Sequence, residues 1–148
     1  MKQELNDKLN LLIARNYDAE KGFKEAMEDV NDEMLKQYFN INASQRYDFG
    51  HELKEEIKKE NGEIEKGSTL LGDAHRAWMD VKSMIAGNDT EAILEECKRG
   101  EEKAINDYEE VLSETELTPS ARKVVQQQRE QITNNIVHID NMLERINS

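Results

Sequence analysis

The chain has few of the residues that cross-link small proteins, break helices or enter membranes. Its 148 residues include one cysteine, Cys97, which cannot form an internal disulfide. A single proline and 35% charged residues favour long helices over a β-sandwich or barrel. No run approaches the roughly 18 apolar residues of a membrane span, and the polar start "MKQELNDKLN" lacks the apolar core of a signal peptide. We therefore expect a cytoplasmic protein with no membrane partner.

Basic residues are also scarce. There are 20 Lys and Arg against 32 Asp and Glu, which gives a net charge of −12 and a pI near 4.7. An acidic surface repels the phosphates of nucleic acid and the headgroups of anionic lipid. The charge therefore argues against nucleic acid as a partner and leaves a homo-oligomer or another protein partner open.

What the chain does have is a series of apolar stripes with helical spacing. In each stripe the apolar residues recur three and four positions apart, as on one face of an amphipathic helix. Asp89 and Thr118 are suitable N-caps, and Pro119 stands at a first helical position, where its missing N–H costs nothing. No strand pattern competes with these stripes. The predicted helices span residues 3–30, 32–60, 69–86, 90–113 and 118–147.

The lengths of the connections predict how these helices are arranged. The first two long helices are joined by a short turn, and so are the last two, so each pair is antiparallel. About 30 residues separate the two pairs. A bundle of such helices is roughly 40 Å tall at 1.5 Å per residue, and the helix 69–86 with its loops can climb that height. The prediction is an all-α, ferritin-like four-helix bundle, one domain over residues 1–148, with helix 69–86 as a crossover between the second and third long helices.

Two of the stripes carry a glutamate where an apolar residue should stand. In "YDAEKGFKEA" it is Glu20, and in "CKRGEEKAINDY" it is Glu101. Glu20 lies about 12 residues from the turn at one end of the bundle and Glu101 about 17 from the turn at the other, which puts both at one level. The stripes are polar elsewhere at this level, and these buried-layer candidates are Asn16, Asn42, Gln45, Arg46, Gln131 and Asn135.

A polar layer at mid-height is where di-iron carboxylate bundles hold their metals. They use one Glu from each of two helices and a Glu-x-x-His from each of the other two. The chain supplies the two lone glutamates, but residues 45–48 read Gln-x-x-Asp and residues 135–138 read Asn-x-x-His, and amides are poor ligands for iron. One hypothesis is therefore a metal-binding or di-iron oxidase-type protein that holds iron or manganese. Its candidate metal ligands are Glu20, Glu101, Asp48 and His138.

The favoured hypothesis places a cation of the chain itself in this layer. Arg46 lies on the stripe of the second long helix. Its guanidinium can bridge Glu20 and Glu101, because two buried carboxylates need a positive partner. In that case no cofactor and no catalytic residue are expected. Ala19 and Gly100, each directly before its glutamate, are expected to allow close approach of neighbouring helices.

The crossover helix carries the single tryptophan. Trp78, with His75 and Arg76, could form a docking surface for a protein partner. The favoured interpretation is that Trp78 packs the crossover onto the bundle.

Cysteine and tyrosine also have a structural interpretation beside a functional one. Cys97 lies on a stripe, where a buried cysteine behaves as a small apolar residue rather than as a redox thiol. Tyr17, Tyr38 and Tyr108 could lie beside a di-iron site, but core packing with a hydrogen-bonded hydroxyl is the favoured interpretation.

Several segments resemble the DUF2383 family, and the resemblance covers nearly the whole chain. They include "DAEKGFKEA", "SQRYDFGHEL" and, as the most specific, "HRAWMDVKSMIAGNDTEAILEECKRGEE". The resemblance implies a ferritin-like fold and no established activity. Glu20, Arg46, Trp78 and Glu101 match family positions. Ile-Val at residues 136–137 stands where the family usually has a His-Asp pair, which puts a metal ligand in the last helix in doubt.

These observations leave three functions open. The favoured one is a non-enzymatic bundle that acts through its surface or as a homo-oligomer, with a stress-related role expected by analogy with other ferritin-like proteins. The second is the metal-binding or oxidase-type protein. The third is an adaptor that docks through the crossover helix around Trp78.

Overall fold

The computed structural model describes the backbone of residues 1–65 and 71–148 and the side chains of residues 1–65 and 79–148. Within these residues the protein is all-α, as predicted, with no strand. None of the described helices has an apolar stretch long enough to cross a membrane. The helices are α1 (Gln3–Asp29), α2 (Glu33–Lys59), α3 (Leu71–Ala86), α4 (Thr90–Leu112) and α5 (Pro119–Asn147).

Side-chain caps set where three of the helices begin. The carboxylate of Asp32 accepts hydrogen bonds from two backbone N–H groups in the first turn of α2. Asp89 and Thr118 each accept one such bond at the starts of α4 and α5, and Pro119 follows Thr118 at the first helical position. Each bond satisfies an N–H group that the first turn leaves without a partner, a contribution of about 1 kcal/mol.

Two apolar clusters show how the four long helices run. The first cluster joins the start of α1 to the end of α2, the end of α4 and the start of α5, and the second joins the opposite ends. α2 and α4 are therefore parallel to each other and antiparallel to α1 and α5, as a ferritin-like bundle with one long crossover requires. The largest fully buried side chains are Leu9, Leu12, Leu53, Ile57, Tyr108 and Ile132 in the first cluster, and Leu35, Tyr38, Phe39, Leu94, Ile139 and Met142 in the second.

The crossover helix covers one side of the bundle. α1 packs against α2 and α4, and α5 also packs against α2 and α4, so α2 and α4 face each other diagonally across the core. α3 lies against α1 and α4, with Val81 buried in the contact. The side chains of His75, Arg76 and Trp78, and the predicted helix start at residue 69, lie outside the described residues.

Two asparagines on α1 hold the segment that leads into the crossover. Asn6 donates to the carbonyl of Glu63 and accepts from the N–H of the same residue, so the pair exchanges two hydrogen bonds. Asn10 donates to the Glu63 carbonyl at 2.7 Å and accepts from the N–H of Glu65 at 3.0 Å. Both amides are buried. The two amides satisfy backbone N–H and C=O groups of a segment that lies in no helix or strand.

Within the long helices, Gly50 allows a close approach of a neighbouring side chain, and the expectation for Gly100 is wrong. A methyl group on Gly100 would meet no atom of another element within 4 Å, and Gly100 is exposed. A methyl group on Gly50 would lie 2.5 Å from the ring of Tyr17. The Tyr17 ring lies over Gly50, with its hydroxyl 2.8 Å from Nδ1 of His51 and the Lys54 ammonium 4.7 Å from its centroid.

The two glycines therefore predict stability changes of opposite sign. Gly100→Ala should raise the free energy of unfolding by about 0.5–1 kcal/mol, because alanine loses less backbone entropy in a helix and has open space there. Gly50→Ala should lower it by about 1–3 kcal/mol, because the Tyr17 ring must leave its place. Urea unfolding of both variants measures the difference. Equal effects at the two positions would contradict this account of Gly50.

Candidate functional site

An ion pair lies at the centre of the bundle. Nη2 of Arg46 on α2 donates to Oε1 of Glu101 on α4 at 2.5 Å, and the two side chains are only 4% and 3% exposed. α2 and α4 face each other diagonally, so this pair crosses the core. The ring of Phe23 on α1 lies 5.7 Å from the guanidinium carbon, close enough for a cation–π contact.

Amides from α5 and α2 extend the pair into a layer. Asn135 donates to the second carboxylate oxygen of Glu101 at 2.9 Å and to Oε1 of Gln45 at 2.7 Å. Gln45 in turn donates to Gln131 at 3.4 Å. Both oxygens of Glu101 therefore have a donor from the chain, one charged and one neutral. We refer to the five residues joined by these bonds as the central layer: Gln45, Arg46, Glu101, Gln131 and Asn135.

A second polar network lies next to the central layer, around the hydroxyl of Tyr108. Asn16 on α1 donates to this hydroxyl at 2.9 Å, and the hydroxyl donates to Oε1 of Gln128 on α5 at 2.7 Å. Gln128 donates to the carbonyl of Phe49 and to the carboxylate of Glu52, both on α2. This chain of hydrogen bonds touches all four long helices. The predicted role of Tyr108 as a core residue with a hydrogen-bonded hydroxyl agrees with these contacts.

Glu20 does not share Arg46 with Glu101, which corrects the predicted Glu–Arg–Glu bridge. Its carboxylate pairs with Lys24 on the next turn of α1 at 2.8 Å. The Glu20 side chain is 14% exposed and that of Lys24 is 60% exposed, so the pair lies at the rim. The physical reason is desolvation, because a second buried carboxylate needs its own compensation, whereas a carboxylate at the rim keeps water and a mobile cation.

The other candidate metal ligands also lie outside the central layer. Asp48 is exposed and lines a groove between α1 and α2 together with Glu20. His138 is exposed and stacks on the ring of Tyr38, with centroids 6.3 Å apart. In the part of the chain that the structure describes, no three His, Cys, Asp or Glu side chains form a group that could hold a metal ion. Of the candidates, only Glu101 is within the layer.

The residues of the central layer do not fit a metal. Oε1 of Glu101 accepts from a guanidinium, which carries a permanent positive charge, and Oε2 accepts from an amide. The other members, Gln45, Gln131 and Asn135, offer amides, which are weak ligands for iron and manganese. The layer instead holds the side chains of Arg46 and Asn135 in fixed orientations through charge-assisted hydrogen bonds to Glu101.

Burial shifts the titration of the groups that flank the layer. Burial raises the pKa of the Cys97 thiol, and the nearby carboxylates of Glu101 and Glu96 add to the shift. Burial likewise raises the pKa of the Tyr38 and Tyr108 hydroxyls. These three groups are therefore protonated in the folded protein at neutral pH, as expected for core residues.

Two buried side chains of the second network, those of Gln128 and Tyr108, were not among the predicted layer residues. Gln128 lies on the apolar stripe of the last helix, as Gln131 and Asn135 do, and this position is the signal that identifies it. Tyr108 also lies on a stripe, but a tyrosine there is usual, so nothing in the pattern separates a packed ring from the centre of a network. Of the predicted buried layer, Asn16, Asn42, Arg46 and Glu101 are buried, Gln45 and Asn135 are half-buried, and Gln131 is exposed, so the layer reaches the surface between α2 and α5.

The buried pair predicts a large effect at Glu101 and almost none at its neighbour. Glu101→Gln should lower the free energy of unfolding by about 3–5 kcal/mol, because the Arg46 guanidinium stays buried without its counter-charge. Glu102→Gln removes the same charge at an exposed position on the next residue and should change it by less than about 0.5 kcal/mol. Urea unfolding of the two variants tests this. A loss at Glu101 no larger than that at Glu102 would contradict the buried ion pair.

The raised pKa of Cys97 predicts a slow thiol. In folded protein at pH 8 the thiol should react with a disulfide reagent far more slowly than the thiol of Gly100→Cys in a Cys97→Ala background, because the thiolate is the reactive form. Because the unfolded thiol ionises at lower pH than the folded one, stability is kept below about pH 8 and falls as the pH rises further. Replacing Cys97 with Ala should flatten that fall. Equal reaction rates at the two positions would count against burial of Cys97.

The comparison with known proteins gives a family and no activity. No curated protein shows significant similarity to the chain. The family model described as "Domain of unknown function (DUF2383)" matches residues 4–114, which is 111 of the 148 residues. The match includes α1 to α4 with Arg46 and Glu101, and it ends before α5, which supplies Gln128 and Asn135. The chain therefore belongs to the DUF2383 family.

Proposed function

We propose that the protein is a non-enzymatic helical bundle in which a buried ion pair and amides occupy the level where di-iron bundles hold metals. The observation that carries this proposal is the contact between Arg46 and Glu101, 2.5 Å long and almost fully buried. A guanidinium cannot lose its proton at physiological pH, so the positive charge at this level is permanent.

A metal at this level would have to replace the guanidinium as the partner of Glu101. That exchange would leave Arg46 buried without a counter-charge, at a cost of about 3–5 kcal/mol. It would also break the hydrogen bond that Asn135 donates to Glu101. The second function, a metal-binding or oxidase-type protein using Glu20 and Glu101, requires this exchange and an inward turn of Glu20 away from Lys24.

Metal content decides between these two functions. Protein purified without an affinity tag, before and after aerobic loading with Fe(II), should contain no stoichiometric iron or manganese by mass spectrometry, and its thermal midpoint should not change in chelator. Stoichiometric iron that is lost in a folded Glu101→Ala variant, and kept in Glu102→Ala, would establish the metal-binding function instead.

An uncharged part of the surface supports a function through association with a second copy of the chain. Residues 37–45 of α2 and 131–139 of α5 contain no Asp, Glu, Lys or Arg, in a chain that is 35% charged. The hydrogen bond from Asn135 to Gln45 and the stacking of His138 on Tyr38 bring the two segments to one level. We call their exposed residues the uncharged band; its largest apolar members are Ile41 and Val137, which are 62% and 53% exposed.

Charge favours a second copy over other partners at the uncharged band. Two chains of charge −12 repel each other wherever acidic surfaces meet. The uncharged band lets two copies approach through Ile41 and Val137 without that repulsion. α3 covers α1 and α4, so among the described residues no helix covers the band. Nine residues of each helix span only about 13 Å, so the contact is small and the association should be weak.

Sedimentation equilibrium tests the self-association. The average mass should rise with protein concentration, and rise further at high salt, because salt screens the repulsion between acidic surfaces. Ile41→Glu should abolish the increase, whereas Met79→Glu, at an apolar residue of α3 that is 55% exposed, should not. A monomer at every concentration and salt level would contradict this part of the proposal. The adaptor function through Trp78 and the stress-related role stay predictions.

A further inference from the structure

One row of side chains on α2 carries buried polar atoms that no described group satisfies. They are the hydroxyl of Tyr38, Oδ1 of Asn42 and Nε of Arg46. The three residues are 1%, 2% and 4% exposed. They follow one another at intervals of four residues, so they lie one above another on a single face of the helix. Three of the four such atoms in the described part of the chain belong to this row.

Other atoms of the same side chains are bonded, and these bonds fix how the row is oriented. Nδ2 of Asn42 donates to the backbone carbonyl of Tyr38 at 2.8 Å, so its amide cannot flip without losing that bond. Nη2 of Arg46 donates to Glu101. The Asn42 oxygen therefore points away from the carbonyl of Tyr38, and Nε of Arg46 is held near the central layer.

The chemistry of the row alternates donor, acceptor and donor. The Tyr38 hydroxyl and Nε–H of Arg46 donate, and the Asn42 oxygen between them has two lone pairs that can each accept a hydrogen bond. A water molecule can accept one hydrogen bond and donate two, so it can satisfy a donor and an acceptor at the same time. The chemistry of a water molecule therefore matches each pair of neighbouring groups in the row.

We propose that this row binds two ordered water molecules that link the central layer to the hydroxyl of Tyr38. One water accepts from Nε–H of Arg46 and donates to Oδ1 of Asn42. The other accepts from the Tyr38 hydroxyl and donates to the same oxygen. Buried waters typically satisfy polar groups of this kind, which otherwise cost about 1–3 kcal/mol each.

The surroundings favour a small neutral ligand over an ion. The positive charge of Arg46 and the two donors oppose a cation, and the carboxylate of Glu101 and the oxygen of Asn42 oppose an anion. The ring of Phe23 lies 6.0 Å from that of Tyr38, which bounds the row on its apolar side.

Removing the Tyr38 hydroxyl tests the proposal in solution. If a water links this hydroxyl to Asn42, Tyr38→Phe should reduce the folding equilibrium constant by about fivefold, the effect of losing one hydrogen bond. If the hydroxyl has no partner, the same change should leave the constant unaltered or raise it. Tyr108→Phe, which loses two known bonds, is the positive control, and exposed Tyr47→Phe is the neutral one.

A crystal structure at a resolution that shows ordered solvent tests the same point directly. The proposal expects two water peaks along the row, and loss of the peak between the Tyr38 side chain and Asn42 in Tyr38→Phe. A map in which the hydroxyl, the amide oxygen and Nε bond directly to protein atoms, with no solvent peak among them, would overturn it. So would an unaltered or increased stability in Tyr38→Phe.

Discussion

The buried contact between Arg46 and Glu101 constrains the whole bundle. It spans the core between two helices that otherwise pack against α1 and α5 rather than against each other. Neither charge is stable in the core without the other, so the pair fixes the height at which α2 and α4 meet. Asn135 then donates to the second carboxylate oxygen of Glu101 and to Gln45, and these bonds tie α5 to the same level. The two apolar clusters lie on either side of this layer, each at one end of the bundle.

Most of the fold could be predicted from the sequence, because helices and their connections leave local signals. Apolar spacing, the N-caps Asp89 and Thr118 and the lengths of the loops were enough to predict five helices and the parallel arrangement of α2 and α4. The hydrogen bonds by which Asn6 and Asn10 hold the backbone of Glu63 and Glu65 were not predicted. Both residues look like ordinary surface asparagines in the sequence, and their role depends on a segment more than 50 residues away.

The candidate site was predicted only in part, for reasons that lie in tertiary contacts. Glu101 and Arg46 stand in the middle of apolar stripes, and burial follows from that position. Glu20 stands on a stripe too, but it lies near the seam with α2, where Lys24 and water draw the carboxylate outward. Gly100 and Gly50 look equivalent as helix glycines, and only the neighbouring Tyr17 ring distinguishes them. A pattern along one helix carries no information about what faces it.

A family without an assigned activity makes the central layer the best place to test the account. The most direct measurement is the coupling free energy between Arg46 and Glu101, from urea unfolding of the wild type, Arg46→Met, Glu101→Gln and the double variant. The account predicts that the double variant is far more stable than the sum of the single losses allows, by about 2 kcal/mol or more. Losses that add to within about 0.5 kcal/mol would show that the two side chains are not partners, and would contradict the account.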